Sequence, residues 1–223
     1  RWAAMPRALF EKTGNAVWIS HLDLMRLFQR AFKRAGLLLT HTQGFNPRPS
    51  VSIALPMSVG LESRCELLDF DLEGEKVSNE EILRLLNENL VSGVKILSVY
   101  DDGSKIKNLA YLDCILSLEY DAGIPENAAE TLTAFFAREE IIVEKRTKNG
   151  PKPENIIPLI RSIRMETQDD HTLQIHTRVC CQNPALNPMQ LHAAIQEYLP
   201  HLKPDFVLCS RVEIFDSNET LFR

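Results

Sequence analysis

Apolar positions along this chain follow two spacings, and the switches between them mark the elements. Residues 6–10 and the stretch around Val17 read as extended. From His21 to Ala35 the spacing becomes helical, with Leu24, Met25, Phe28, Ala31, Phe32 and Ala35 on one stripe. Ser20, followed three residues on by Asp23, caps that helix. Residues 50–55 predict a short strand and 66–72 another, with Leu68, Phe70 and Leu72 on one face. Ser78 and Glu81 form a second capping pair before a helix through Leu90, Gly93 ends it, and residues 94–100 close as a strand. The order is β-α-β-β-α-β.

After a polar linker, Asp101-Asp102-Gly103-Ser104, the order repeats. Leu112, Cys114, Leu116, Leu118 and Tyr120 alternate as a strand, and Pro125 opens a helix carrying Ala128, Leu132, Phe135 and Phe136. Residues 141–146 and 156–165 read as strands around a turn at Asn149-Gly150, and 172–179 as a further strand. Asn187-Pro188 starts a helix with Leu191, Ala194 and Ile195, and 206–214 supplies the last strand. The second unit thus has one extra strand. The expected class is α+β, two tandem ferredoxin-like (βαββαβ) domains spanning residues 1–104 and 105–223. Leu24, Phe28, Phe32, Leu68, Phe70, Leu83 and Leu86 should share one core, and Leu116, Phe136 and Ile195 another.

Composition narrows the setting. No run of 18 apolar residues is present, so no helix is expected to span a membrane, and no signal-peptide pattern stands at the start. Met5 heads the first strand, which makes residues 1–4 read as an upstream remnant. The cysteines (Cys65, Cys114, Cys180, Cys181, Cys209) are five in number and form no CxxC pair. Their apolar or strand-like contexts predict buried reduced thiols and a cytoplasmic protein, against an iron–sulfur or zinc site. GxSxG, P-loop, HExxH and GxGxxG motifs are absent, and no cofactor is expected.

Charge is divided along the chain. Residues 1–60 hold eight basic side chains against two acidic ones, a net of +6, while the next eighty hold seven against eighteen. The overall −5 therefore says little about partners, because a polyanion feels the local field. Opposite the apolar stripe of the first helix stand Asp23, Arg26, Arg30, Lys33 and Arg34, at spacings that share a surface. Guanidinium groups about one turn apart suit a phosphate backbone, although a merely solvated face has the same pattern. This helix feeds "HTQGFNPRPSVS", residues 41–52. Gln43, Gly44, Phe45, Asn46 and Arg48 there read as ligand contacts. Phe45 is either a ring that stacks on a base or a plug beneath the loop. The expected geometry is a wall from Gln43 to Pro49 beside the start of the first helix, with His21 adjacent. The alternative is a rigid connector in which Asn46 bonds only its own backbone. Lys145 and Arg146, on a basic hairpin with Lys148 and Lys152, are further candidates. His171 and His176 point to opposite faces of a strand and make a poor metal pair.

The segments "ISHLDLMR" (19–26) and "QGFNP" (43–47), within residues 11–63, closely resemble the radical-SAM-linked domain of unknown function family, DUF2344. Members stand alone or fused behind a radical SAM enzyme, often beside a ribonuclease of the E/G type. The chain departs from the family pattern at Arg48, where histidine is usual, at "ENIIPLI" (154–160) and at "CCQNPALNP" (180–188). No CxxxCxxC triad occurs, so the resemblance implies a partner of a radical SAM enzyme and not the enzyme itself. The functional expectation is a non-catalytic RNA-binding or substrate-presenting accessory protein in RNA modification or processing. The alternatives are a metal-independent endoribonuclease resembling CRISPR repeat-processing proteins, with His21 and a basic neighbour, or a protein-docking module.

Overall fold

The structure is a computed structural model in which residues 5–223 are described. Residues 1–4, read above as a remnant, lie outside that range. The architecture is mixed α+β, with four α-helices among the described residues. The chain divides into two compact units, one running through Asn108 and including Phe222 and Arg223, the other Leu109–Leu221.

In the first unit the order is β1 (Arg7–Lys12), α1 (His21–Arg34), β2 (Val51–Ile53), β3 (Glu62–Phe70), α2 (Asn79–Glu88) and β4 (Val94–Tyr100). β1 lies between β3 and β4, β2 pairs with the other edge of β3, and every pair is antiparallel. The stripe on α1 buries Leu24, Phe28, Ala31 and Phe32. Phe28 meets Phe10 of β1 edge-on at 4.9 Å, and Phe32 meets Phe70 of β3 at 5.0 Å. Each buried ring contributes about 1.5–3 kcal/mol relative to exposure, so α1 is held by packing. Both expected caps form: Ser20 Oγ accepts from the Asp23 amide and Ser78 Oγ from the Glu81 amide, each at 3.2 Å. α1 ends where Gly36 takes φ +72 and the Leu37 amide reaches back to the Phe32 carbonyl at 2.9 Å.

Three expectations change here. The stretch around Val17 is a 3₁₀ turn, Gly14–Trp18, not extended, because Gly14 at φ +58 turns the chain back. β3 begins at Glu62, earlier than its polar start suggested, since Ser63 and Glu66 are buried along with the apolar residues. Leu83 is half-buried, because α2 sets Ile82 and Leu86, four apart, against the core.

The second unit runs β5 (Leu109–Glu119), α3 (Ala128–Phe136), β6 (Ile142–Thr147), β7 (Gly150–Asn155), β8 (Ile160–Thr167), β9 (Thr172–Cys180), α4 (Met189–Tyr198) and β10 (Phe206–Asp216). The strands β10, β5, β9 and β8 pair in that order, all antiparallel. The turn at Asn149-Gly150 joins β6 to β7 in a separate two-stranded hairpin and does not join the strands foreseen at 141–146 and 156–165. The latter region is a 3₁₀ turn at Ile157–Leu159 followed by β8. Pro125 stands ahead of α3, whose start is set by Asn127 at φ 57. Leu116, Leu132, Phe136, Ile175, Val179, Leu191 and Ile195 are buried.

The expected boundary after residue 104 moves to Asn108. Arg7 and Arg223 hold the linker to the first unit: the Arg7 guanidinium donates to the Ser104 carbonyl at 2.8 Å, and the Ser104 amide to the Arg223 carbonyl at 2.7 Å. No helix among the described residues is long and apolar enough to cross a membrane. Cys65, Cys114 and Cys209 are buried as foreseen, whereas Cys180 and Cys181 are only half-buried, where β9 gives way to the following loop.

Candidate nucleic-acid interface

Packing of the apolar stripe turns the opposite face of α1 to solvent. Asp23, Arg26, Arg30, Lys33 and Arg34 are all exposed on it. Asp23 accepts from the Ser20 hydroxyl at 3.0 Å and pairs with Arg26 at 3.2 Å, so the charge of Arg26 is partly used. Among the described residues no carboxylate pairs with Arg30, Lys33, Arg34 or Arg48. Lys33 and Arg34 also complement the carbonyl end of the helix. Two cations that inflated the sequence count are internal: Lys12 is fully buried, its Nζ donating to the Ile19 carbonyl at 2.6 Å, and Arg7 is buried against Asp69.

The loop after α1 is a closed hairpin. Leu39 bridges Leu72, the Thr40 amide and hydroxyl bond Asp71, and His41 bridges Pro49. The Thr42 amide donates to the Arg48 carbonyl at 2.8 Å, and the Arg48 amide to Thr42 Oγ1 at 3.0 Å. This leaves Gln43, Gly44, Phe45, Asn46 and Pro47 as an exposed tip. Gly44 stands at φ +138, a conformation that a side chain would strain. Phe45 has 107% exposure, which overturns the plug reading: its ring touches no core. The Asn46 side chain makes no hydrogen bond among the described residues, so the bond to its own backbone expected of a connector is not formed. Asn46→Ala should therefore change unfolding free energy by no more than about 0.5 kcal/mol, as at an uninvolved surface position; thermal or urea denaturation checks this.

The expected neighbourhood of His21 and the loop is not formed. His21 begins α1 beside the end of β1, where Lys12 holds Ile19. The loop is anchored to Asp71 and Leu72, beyond the end of β3 that pairs with the start of β1 (Arg7 opposite Asp69). The fourteen residues of α1, at 1.5 Å rise each, put roughly 20 Å between those ends. His21 is half-buried, with Nδ1 shielded and without a partner among the described residues. The cations that share the loop's end are Lys33 and Arg34, one turn beyond Arg30.

Lys145 and Arg146 lie on β6 of the second unit. Lys145 Nζ is committed internally, 3.3 Å from both Glu154 Oε2 and the Ala185 carbonyl, while Arg146 is exposed without a partner among the described residues.

Sequence reasoning missed a second polar cluster. Along β9 the residues Leu173, Ile175, Thr177 and Val179 are buried, so Gln174, His176 and Arg178 line the other face. Arg178 grips Asp113 of β5 at 2.7 and 3.0 Å, reaches Glu219 at 3.2 Å, and stacks 3.8 Å from the Phe215 ring centre. Arg164 of β8 binds Glu166 at 2.8 Å and His176 Nδ1 at 3.3 Å. Because arginine only donates, Nδ1 accepts, and Nε2–H faces Gln174 Oε1 at 2.9 Å and Glu166 at 3.2 Å. Burial, and then the Arg164 charge, hold His176 below the ordinary imidazole pKa. The period-two alternation on residues 174–178 was the available signal.

Among the described residues no cluster of three or more His, Cys, Asp or Glu side chains is arranged to hold a metal ion. Fold and site define a two-unit α+β protein with a cationic helix face, unpaired at Arg30, Lys33 and Arg34 among the described residues, followed by a loop with an exposed phenylalanine. Residues 6–188 match the family described as an uncharacterized protein conserved in bacteria, and the chain belongs to that family, DUF2344. No curated protein matches it. Among solved structures, a chain in the crystal structure of a Cbf5-Nop10-Gar1 complex is similar at TM-score 0.56 and 8% identity, over 95% of this chain and 49% of that one. This chain thus spans about half of that one, and the likeness concerns fold alone. An unknown protein from Galdieria sulphuraria aligns over 93% of this chain and 96% of its own, at 13% identity and TM-score 0.26, too low to inform the fold.

Proposed function

We propose that this protein is a non-catalytic accessory factor that binds single-stranded RNA along α1 and its following loop. It presents that RNA to a radical SAM enzyme, the partner implied by the sequence resemblance, in the cytoplasm. Each unit is read as a ferredoxin-like module; the strand orders β4-β1-β3-β2 and β10-β5-β9-β8 support this. The observation that carries the proposal is the pairing of unneutralised cations with a wholly solvent-exposed ring. A monomer gains nothing by holding Phe45 in water, whereas nucleic-acid grooves combine backbone-tracking cations with aromatic rings on which bases stack. The alternative, an endoribonuclease using His21 with a basic neighbour, has less support, since His21 Nδ1 is shielded and has no partner among the described residues to activate it.

Anisotropy titrations of a fluorescent single-stranded RNA over a salt series test the proposal. Removal of two phosphate contacts in Arg30→Ala/Arg34→Ala should flatten the log–log salt slope by about 1.4, at roughly 0.7 per contact. Phe45→Ala should weaken binding by about 1–3 kcal/mol with the slope intact, because a stacked base carries no counterion. Unchanged affinity and slope in both variants would remove RNA from this face.

A further inference from the structure

The polar face of the second unit carries a half-open cavity of about 290 Å³, lined by Asp113, Ile115, Ser162, Arg164, His176, Arg178 and Val212 among others. Register places these groups on one side of the sheet: Asp113 is opposite Arg178, Ile115 opposite His176, and on β8 Ser162 and Arg164 face Arg178 and His176. The size lies at the lower end for small-molecule sites, enough for one heterocycle and its sugar but not for a large cofactor.

The chemistry of the lining narrows the occupant. Of the two lining arginines, Arg178 is matched by Asp113 and by Glu219 outside the cavity, and Arg164 by Glu166, also outside it. Those carboxylates neutralise the guanidinium groups, so the charge balance disfavours an anion. Hydrogen-bonding capacity nevertheless remains. Arg178 spends three N–H groups on Asp113 and Glu219 and keeps two. Arg164 keeps three after Glu166 and His176. Each Asp113 oxygen accepts once and has a second lone pair, and the Ser162 hydroxyl both donates and accepts. Donors and acceptors therefore stand side by side against the apolar Ile115 and Val212. That is the complement of a planar ring bearing adjacent N–H and C=O groups. His176 works through Arg164: Gln174 and Glu166 orient the imidazole, and its Nδ1 fixes the guanidinium. It is a positioning residue.

We infer that this cavity binds a single uncharged nucleobase, with Arg164 and Arg178 donating to its carbonyl oxygens, Asp113 accepting from its ring N–H, and Ile115 and Val212 against its face. The inference deepens the RNA reading, on which the choice of a nucleobase among polar heterocycles rests.

Isotope-edited NMR titrations with uridine, guanosine, cytidine, adenosine and inorganic phosphate test it. A base with an N–H beside a carbonyl, uridine or guanosine, should shift amide signals of β5, β8 and β9 saturably, ahead of cytidine and adenosine, and phosphate should not compete. Arg164→Gln, on an exposed side chain, should weaken that nucleoside roughly tenfold or more, the size of one lost charged hydrogen bond, and Ser162→Ala should weaken it less. His176→Gln, which retains an acceptor toward Arg164, should bind better than His176→Leu, an order that loss of packing would not produce. Absence of saturable shifts at β5, β8 and β9 overturns the inference, as does competition by phosphate. RNA binding without nucleoside binding removes the cavity and keeps the RNA reading. Nucleoside binding without RNA binding does the reverse.

Discussion

Gly93→Ala should destabilise the first unit by about 3–4 kcal/mol. Gly93 stands at φ +89, and a Cβ there would lie 2.3 Å from the Thr13 carbonyl oxygen and 2.8 Å from Ala16 Cβ. Neither neighbour is the free end of a side chain. The Thr13 amide donates to the Gly93 carbonyl at 2.8 Å, so the two backbones cannot separate without breaking that bond. Left-handed backbone costs an alanine about 1–2 kcal/mol, and forced overpacking adds about 1–3 kcal/mol. At roughly 4–8 °C per kcal/mol for a unit of this size, the melting temperature should fall by about 12–30 °C. Gly14→Ala is the internal control. Gly14 has φ +58 but open space where its Cβ would go, so only the conformational cost of roughly 1–2 kcal/mol applies. Equal losses in the two variants would show that the close packing at Gly93 is wrong. The contact bears on function because the segment it buttresses, Thr13 to Trp18, leads directly into α1 and sets the start of the cationic helix.

What the sequence disclosed follows from which forces are local. Caps and helical stripes are local, and so Ser20, Ser78 and the buried face of α1 were legible in advance. Strand limits depend on partners far along the chain. Glu62 to Cys65 looked polar enough for a loop, yet Ser63 and Glu66 become buried once β3 pairs. Pairing also decided which strand the Asn149-Gly150 turn would serve, since β8 finds its partner in β9 and leaves β6 to the local hairpin. In the candidate site, the cations of α1 were readable because one helix face carries them all. The adjacency of His21 and the loop was not, because sequence proximity concealed the length of the helix between them. Arg7 and Lys12 counted as surface charge until tertiary structure enclosed them. The cavity of the second unit was least visible: its lining comes from four strands, and only alternation along β9 hinted at a polar face.

Arg7→Ala separates structural charge from ligand-facing charge. The Arg7 guanidinium holds Asp69 at 2.6 and 3.2 Å and the Ser104 carbonyl at 2.8 Å, and it lies 5.8 Å from the Phe222 ring centre. Truncation leaves a carboxylate and a carbonyl without their donor. Breaking one side of a buried pair costs about 3–5 kcal/mol, and because Asp69 keeps 23% side-chain exposure, water relieves part of this, so a loss of about 3 kcal/mol is expected. Arg7→Lys should recover only part, since one ammonium group cannot reproduce the planar fork. In Arg7→Ala/Asp69→Ala the loss should be smaller than the sum of the single losses by at least about 1 kcal/mol, the signature of direct contact. Below its melting transition the Arg7→Ala protein should bind RNA with the parental salt slope, because no phosphate can reach a side chain with 7% exposure. Arg30→Ala/Arg34→Ala should show the converse, stability within about 1 kcal/mol of the parent with a flattened slope. If removing Arg7 flattened the slope instead, the division of the basic residues between scaffold and interface would be wrong, and the cationic face would have to be redrawn around β1.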